Sequence, residues 1–261
     1  MKIFLIASLF PLMAFSQTIK VGVIDTGFDF VSTWNNKKGI VKPILCDKGH
    51  KDFVVPIENI NYLVDNHGHG THVAGLIAKH AKDADYCLII TKFYDPKAAG
   101  QDYINSNNLT RTVSAIRHLI KQDVDIINFS GGGLSRSEEE CQAVKEALDK
   151  GILFVTAAGN EKSNLTKKKA YYPAMCDDRV VVVTNLSEDG KTLMPSSNYS
   201  ASGSIDTFNE RGSNQMSTLP GDIIGPMSGT SQAAAAMSGK LVKLLGIRSK
   251  KNNKEIKKPL K

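Results

Sequence analysis

Short, almost wholly apolar runs recur along this chain, and stretches of helical period separate them. The runs lie at 19–25, 86–93, 124–129, 152–158 and 180–184, with a further candidate strand at 41–46. Strands without polar alternation are buried on both faces. Helical segments lie between them. One is at 69–81. Another is at 109–122, with Val113, Ile116, Leu119 and Ile120 on one face. A third at 137–150 stops at Gly151, and an Ala-rich one occupies 230–245. Strands separated by helices mean parallel crossovers. The expectation is an α/β fold: a doubly wound, mostly parallel sheet with helices on both faces and no second domain. In such sheets the site lies beyond the carboxyl ends of the strands. Asp25 closes the first run, Ser130 follows 124–129, and Gly159 and Asn160 follow 152–158, so three loops meet at one edge.

The first sixteen residues differ from the rest. Lys2, an apolar stretch over 3–15 and small Ala14 and Ser16 read as a secretory signal cut after Ser16. No other apolar run approaches the ~20 residues that span a bilayer. The expectation is an exported protein, secreted or periplasmic, with no transmembrane segment and acting as a monomer. Cys46, Cys87, Cys141 and Cys176 make an even count in an exported chain and point to two disulfides with three possible connectivities. Their spacings do not match a zinc site. The formal net charge is +7, but residues 248–261 hold seven Lys or Arg against one Glu. The charge therefore belongs to a basic, solvated tail, and nucleic acid is not an expected partner. The expected organisation is a signal at 1–16, one folded domain at 17–247 and the tail at 248–261.

Four short motifs carry possible chemistry. VGVIDTG (21–27) ends a strand at Asp25. An acid in that setting could be half of a carboxylate pair, but the chain offers no second Asp-Thr-Gly to share the proton. It could instead orient a histidine. DNHGHGTHVAG (65–75) holds His67, His69 and His72. Three imidazoles suit zinc, but no carboxylate or Cys completes a set, so no metal site is expected. His67 and His72 read as solvated or packed histidines. GTSQAAA (229–235) puts Ser231 in the first turn of a helix, where unpaired N–H groups favour a developing anion. AAGN (157–160) places Asn160 at the same sheet edge, with an NH2 able to donate to an oxyanion.

Each motif alone is ambiguous, since a serine can be a cap and an asparagine a turn residue. Together and in this order, DTG, HGTHVAG, AAGN and GTS closely resemble the subtilisin-like serine proteases, the subtilases. The resemblance runs from Val21 to about Leu245 and includes STLPG (217–221) and the SGGG segment at 130–133. It implies a catalytic domain in which Ser231 attacks a peptide carbonyl. His69 takes its proton, Asp25 orients His69, and Asn160 with the Ser231 N–H holds the oxyanion. It also implies that Ser130, Gly131 and Gly132 pair with substrate backbone, and that with Ala157, Ala158 and Gly159 they wall the primary specificity pocket. Small walls imply room for a large side chain. Gly131, often leucine in relatives, implies a widened neighbouring subsite, and Glu161 at the rim a preference for basic or polar residues. The resemblance pairs Cys141 with Cys176, as in some relatives, and leaves Cys46 for Cys87.

Some features depart from the family pattern. Only residues 17–24 separate the expected signal cut from Asp25, where many relatives carry a prodomain. Either the chain folds unaided or a separately encoded folding helper or inhibitor serves it. The helix at 69–81 runs almost directly into the next strand, so the tight calcium site of relatives is expected to be absent, with weak calcium sites left open and no other cofactor. Gln232 and Ala235 replace the Met and Pro common after the nucleophile. The rival reading is a silent family member that holds peptides along 130–132 without cutting them.

Overall fold

The computed structural model describes residues 18–35, 37–55, 63–97, 101–201 and 203–249. The expected signal at 1–16 and residues 250–261 of the tail lie outside them. Among the described residues nine strands and four helices follow in the order β1 (Ile19–Asp25), β2 (Lys51–Asp52), α1 (His69–Ala81), β3 (Tyr86–Lys92), α2 (Gln101–Lys121), β4 (Ile126–Phe129), α3 (Glu138–Asp149), β5 (Leu153–Ala157), β6 (Val181–Leu186), β7 (Thr207–Arg211), β8 (Gln215–Leu219), β9 (Ile223–Met227) and α4 (Thr230–Ser249).

The main sheet has the order β2-β3-β1-β4-β5-β6-β7, and every pairing in it is parallel. β8 and β9 form a separate antiparallel hairpin. The doubly wound arrangement is visible in how side chains alternate across β1. Val21 and Val23 face α1 and α4, packing with Val73, Leu76, Ile77, Ala233, Ala234 and Val242. Ile24 faces the other way, with Val113, Ile116 and Leu119 of α2 and Ala143 and Val144 of α3. Gly22 gives the Leu119 side chain of that layer its room: a Cβ there would lie 2.5 Å from Leu119 Cδ1. Sheet order reverses at β1, whose neighbours are β3 on one side and β4 on the other. The crevice beyond that reversal is where such folds place ligands.

The segment at 41–46 is not a strand. It contributes one bridge, Leu45 to Leu88, beside the edge of β3. Its neighbour Cys46 is bonded to Cys87 within β3, and a covalent link does there what a ladder would otherwise do. The second disulfide joins Cys141 near the start of α3 to Cys176. α3 begins after Ser137, whose side chain accepts from Glu140 N, with three glutamates in the first turn. That is favourable cap and dipole chemistry. α2 starts eight residues before the amphipathic stretch at 109–122, and α4 continues through Ser249, into the stretch read as tail.

Candidate active site

Asp25 is the last residue of β1 and is 2 % exposed. Its Oδ1 accepts from Thr26 N at 2.8 Å and from His69 Nδ1 at 2.8 Å. His69 opens α1. The approach depends on Gly70: a Cβ there would collide with the Gly27 carbonyl and lie 3.2 Å from Asp25 Cβ. Because Asp25 engages Nδ1–H, Nε2 is the nitrogen free to accept a proton. Burial disfavours the charged imidazole, but the Asp25 carboxylate, its hydrogen bond and the charge of Asp65 outweigh that. The His69 pKa is raised above its ordinary value.

Asp65 fixes this helix entry. Its Oδ1 accepts from Thr26 Oγ1 (2.8 Å), His67 N (3.1 Å) and Gly68 N (2.7 Å), and its Oδ2 from Thr71 N (2.8 Å) and Thr71 Oγ1 (2.7 Å). Thr26 Oγ1 in turn accepts from Gly70 N at 2.9 Å. Sequence reading missed Asp65, although an acid just before a helix is a recognisable capping signal.

Ser231 is the second residue of α4. Its hydroxyl donates to the Ser130 carbonyl at 2.8 Å, and Ser130 Oγ donates back to the Ser231 carbonyl at 3.1 Å. Behind Ser130, Asn128 Nδ2 donates to Ser130 Oγ (2.9 Å) and Ser238 Oγ donates to Asn128 Oδ1 (2.8 Å). A buried polar chain thus ties the end of β4 to α4. Ala233 to Ala236, all fully buried, let α4 lie close enough for it.

Asn160 follows β5. Its Oδ1 accepts from Thr230 N at 3.0 Å and Thr230 Oγ1 at 3.2 Å. A backbone N–H can meet only the oxygen end of the carboxamide, so Nδ2 is the end left to donate to a ligand. Asn198, fully buried, shapes the same loop. It donates to the Ala158 carbonyl (2.9 Å) and Glu161 Oε2 (2.6 Å), and accepts from Glu161 N (3.0 Å) and Ser163 N (2.8 Å). No local sequence signal marks Asn198, whose side-chain partners all lie far away in the chain, or the link from Asn128 to distant Ser238.

Ser130, Gly131 and Gly132 leave β4 as Ala158 and Gly159 leave Ala157 at the end of β5. Two expectations about this pair of walls fail. The space beside Gly131 is not a widened subsite: a Cβ there would lie 2.8 Å from Phe129 Cε2 and 3.5 Å from Phe93 Cζ, so aromatic rings already fill it. Nor is the gap between Gly132 and Gly159 empty, for the ring of Tyr171 stands in it.

His72 is fully buried in α1, with Nε2 held by the carbonyls of Gln215 (2.9 Å) and Gly225 (3.2 Å). Burial lowers its pKa from 6.5 to about 4. It is a packed histidine. His67 is exposed, its ring edge-on to those of His69 and Tyr94. The three histidines do not converge on one point.

Known proteins resemble this chain over most of its length. The model of the subtilase family, peptidase S8, matches residues 16–261. The major intracellular serine protease of Bacillus subtilis (strain 168) is 34% identical over 235 residues, covering 86% of this chain and 67% of that protein. Subtilisin E of the same strain is 30% identical, covering 85% of this chain and 54% of that protein. Among solved structures, a cold adapted subtilisin-like serine proteinase superposes with a TM-score of 0.69 at 22% identity, covering 90% of this chain and 77% of that one.

Proposed function

The chain belongs to the subtilase family of serine proteases, and on that premise we propose that it is an exported endopeptidase working through Asp25, His69 and Ser231. It is a hydrolase by family. The observation that carries the residue roles is the 2.8 Å hydrogen bond from His69 Nδ1 to buried Asp25, which leaves Nε2 as a base at the sheet edge where α4 presents Ser231.

The steps follow from elementary chemistry. A peptide lies along Ser130–Gly132 as an added strand. Its backbone N–H offers the Ser130 carbonyl another donor, and the Ser231 hydroxyl turns from that carbonyl to His69 Nε2. Ser231 Oγ attacks the peptide carbonyl as its proton moves to His69. Asp25 stabilises the imidazolium. Asn160 Nδ2 and the Ser231 N–H at the start of α4 hold the oxyanion. His69 gives its proton to the leaving amine, and water then releases the acyl group. None of these steps needs a cofactor. Glu161 Oε2 accepts from Asn198 Nδ2 at 2.6 Å and lies against Gly159, so this carboxylate braces the pocket wall rather than selecting a basic side chain.

Export rests on the signal-like residues 1–16 and on two disulfides, which persist in oxidising compartments. Among the described residues no helix is long and apolar enough to cross a membrane. Only residues 82–85 separate α1 from β3, which supports loss of the tight calcium site; tight stoichiometric calcium binding in a titration of the metal-free protein would contradict that. The test of the main proposal is fluorophosphonate labelling of the purified protein with the adduct mapped by peptide mass. An adduct on Ser231 that disappears in His69→Ala is the expected result. A folded protein that takes no label is a silent peptide binder instead.

A further inference from the structure

If the chain is the protease proposed from its triad, its primary pocket lies between Ser130–Gly132 and Ala157–Gly159, and the role of Tyr171 rests on that function. Walls with so little side chain would by themselves leave a deep slot. Tyr171 fills it from within. Its Cε1 and Cζ lie 2.5 and 2.9 Å from where a Cβ on Gly132 would stand, and its Cε2 lies 2.8 Å from the corresponding point on Gly159. One ring therefore meets both walls, with Cε1 toward the first and Cε2 toward the second.

The ring is fixed in place. Tyr171 is 7 % exposed and belongs to the core on the α2 and α3 side of the sheet. The next residue, Tyr172, is bridged to Gly133 by reciprocal hydrogen bonds of 2.8 and 2.9 Å, which pin the backbone beside the first wall. The second wall cannot retreat, because Asn198 holds the Ala158 carbonyl and Asn198 and Glu161 crowd the Gly159 Cα. Burial, with the nearby Glu161 and Glu140 carboxylates, pushes the Tyr171 hydroxyl up to about 12. It is therefore neutral at working pH and exerts no charge on a substrate.

We propose that Tyr171 determines the specificity of this protease: its ring is the floor of the primary pocket and limits the residue before the scissile bond to Gly, Ala or Ser. A larger side chain has to displace a buried ring held on two sides, and overpacking of this kind is costly. A methyl or hydroxymethyl group needs no such movement.

The experiment uses the wild-type protein, Tyr171→Gly and Tyr171→Phe. Each is reacted with a small fluorophosphonate. Each is then given peptides that differ only in the residue before the cut: Gly, Ala, Ser, Leu, Phe or Lys. Products are identified by mass. Wild type and Tyr171→Phe are expected to favour Ala over Phe by about tenfold or more in kcat/KM, and Tyr171→Gly to reverse that ratio. Labelled wild type that cuts after Phe as fast as after Ala overturns the pocket assignment alone, whether or not any variant folds. A labelled Tyr171→Gly with an unchanged ratio does the same. Folded wild type that takes no label overturns the protease function and the role of Tyr171 with it.

Discussion

Ser130 and Ser231 hold each other by two hydrogen bonds of opposite sense, hydroxyl to carbonyl in each direction, at 2.8 and 3.1 Å. The pair joins the end of β4 to the first turn of α4, and in the proposed mechanism it ties the segment that would receive substrate to the helix that carries the nucleophile. Ser130→Ala removes the bond to the Ser231 carbonyl and leaves Asn128 Nδ2 without its acceptor. Small displacements of a nucleophile are expensive in rate. The expected result is a fall in kcat of about tenfold with KM little changed. A rise in KM at constant kcat would mean that the Ser130 side chain serves binding only.

In the proposed mechanism His69 sets the acid limb of activity. The reaction needs its neutral form, and its pKa in the free protein is raised above 6.5 by Asp25 and Asp65 against the opposing effect of burial. kcat/KM reports the free enzyme. It should therefore rise with pH through a midpoint above 6.5. Asp25→Asn removes the main source of the shift. Residual activity in that variant should fall by about 10⁴-fold and its midpoint should move to lower pH. An unmoved midpoint would show that Asp25 does not act on His69 in solution.

The alternation of strand and helix was legible because the central strands are buried on both faces and read as almost wholly apolar runs. β7, β8 and β9 were not. Thr207–Arg211 is a charged edge strand, and the hairpin Gln215–Leu219 with Ile223–Met227 carries polar residues and Pro226. Asp25, His69, Asn160 and Ser231 stood out because each sits in a short motif. Tyr171 did not. AYYPA at 170–174 reads as ordinary core, and the position of the ring depends on the Tyr172–Gly133 bridge between distant segments. The glycines of the two walls were visible, but what filled the space between them was not.

Lys92 is an internal cation at the end of β3, 2 % exposed. Its ammonium donates to Asp95 Oδ2 (2.6 Å) and the Val64 carbonyl (2.9 Å), and lies 4.0 Å from buried Asp52 Oδ2. Asn66 Nδ2 also donates to Asp95, so the cluster anchors the chain leading into α1. Lys92→Met keeps most of the volume but leaves two shielded carboxylates without their cation. Breaking a buried pair in this way costs about 3–5 kcal/mol. A melting temperature within experimental error of wild type would show that water reaches the cluster. Replacing Asp52 and Asp95 by Asn in the same variant should restore part of the loss, since no buried charge is then left unpaired.

His72 predicts how the fold responds to acid. Its Nε2–H is shared between the Gln215 and Gly225 carbonyls, one on each strand of the β8–β9 hairpin. Its Nδ1 has no partner among the described residues. The folded protein therefore resists protonating it, and its pKa falls to about 4, while the unfolded chain takes up the proton near 6.5. Between these values the unfolded state binds more protons, so stability is fully present above 6.5 and declines as pH drops toward about 4. The decline amounts to about 3 kcal/mol from this residue. Burial lowers His50, His80 and His118 as well, with the same sign. His69 has the opposite sign: its contribution is complete at low pH and is lost as pH rises through its raised pKa. Urea midpoints of wild type and His72→Gln, measured from pH 7 to pH 4.5, separate these contributions. The glutamine can still donate to the hairpin carbonyls but does not titrate, so its midpoint should fall less steeply with acid. Parallel curves would assign the acid loss to the other histidines and leave His72 a purely structural link between α1 and the hairpin.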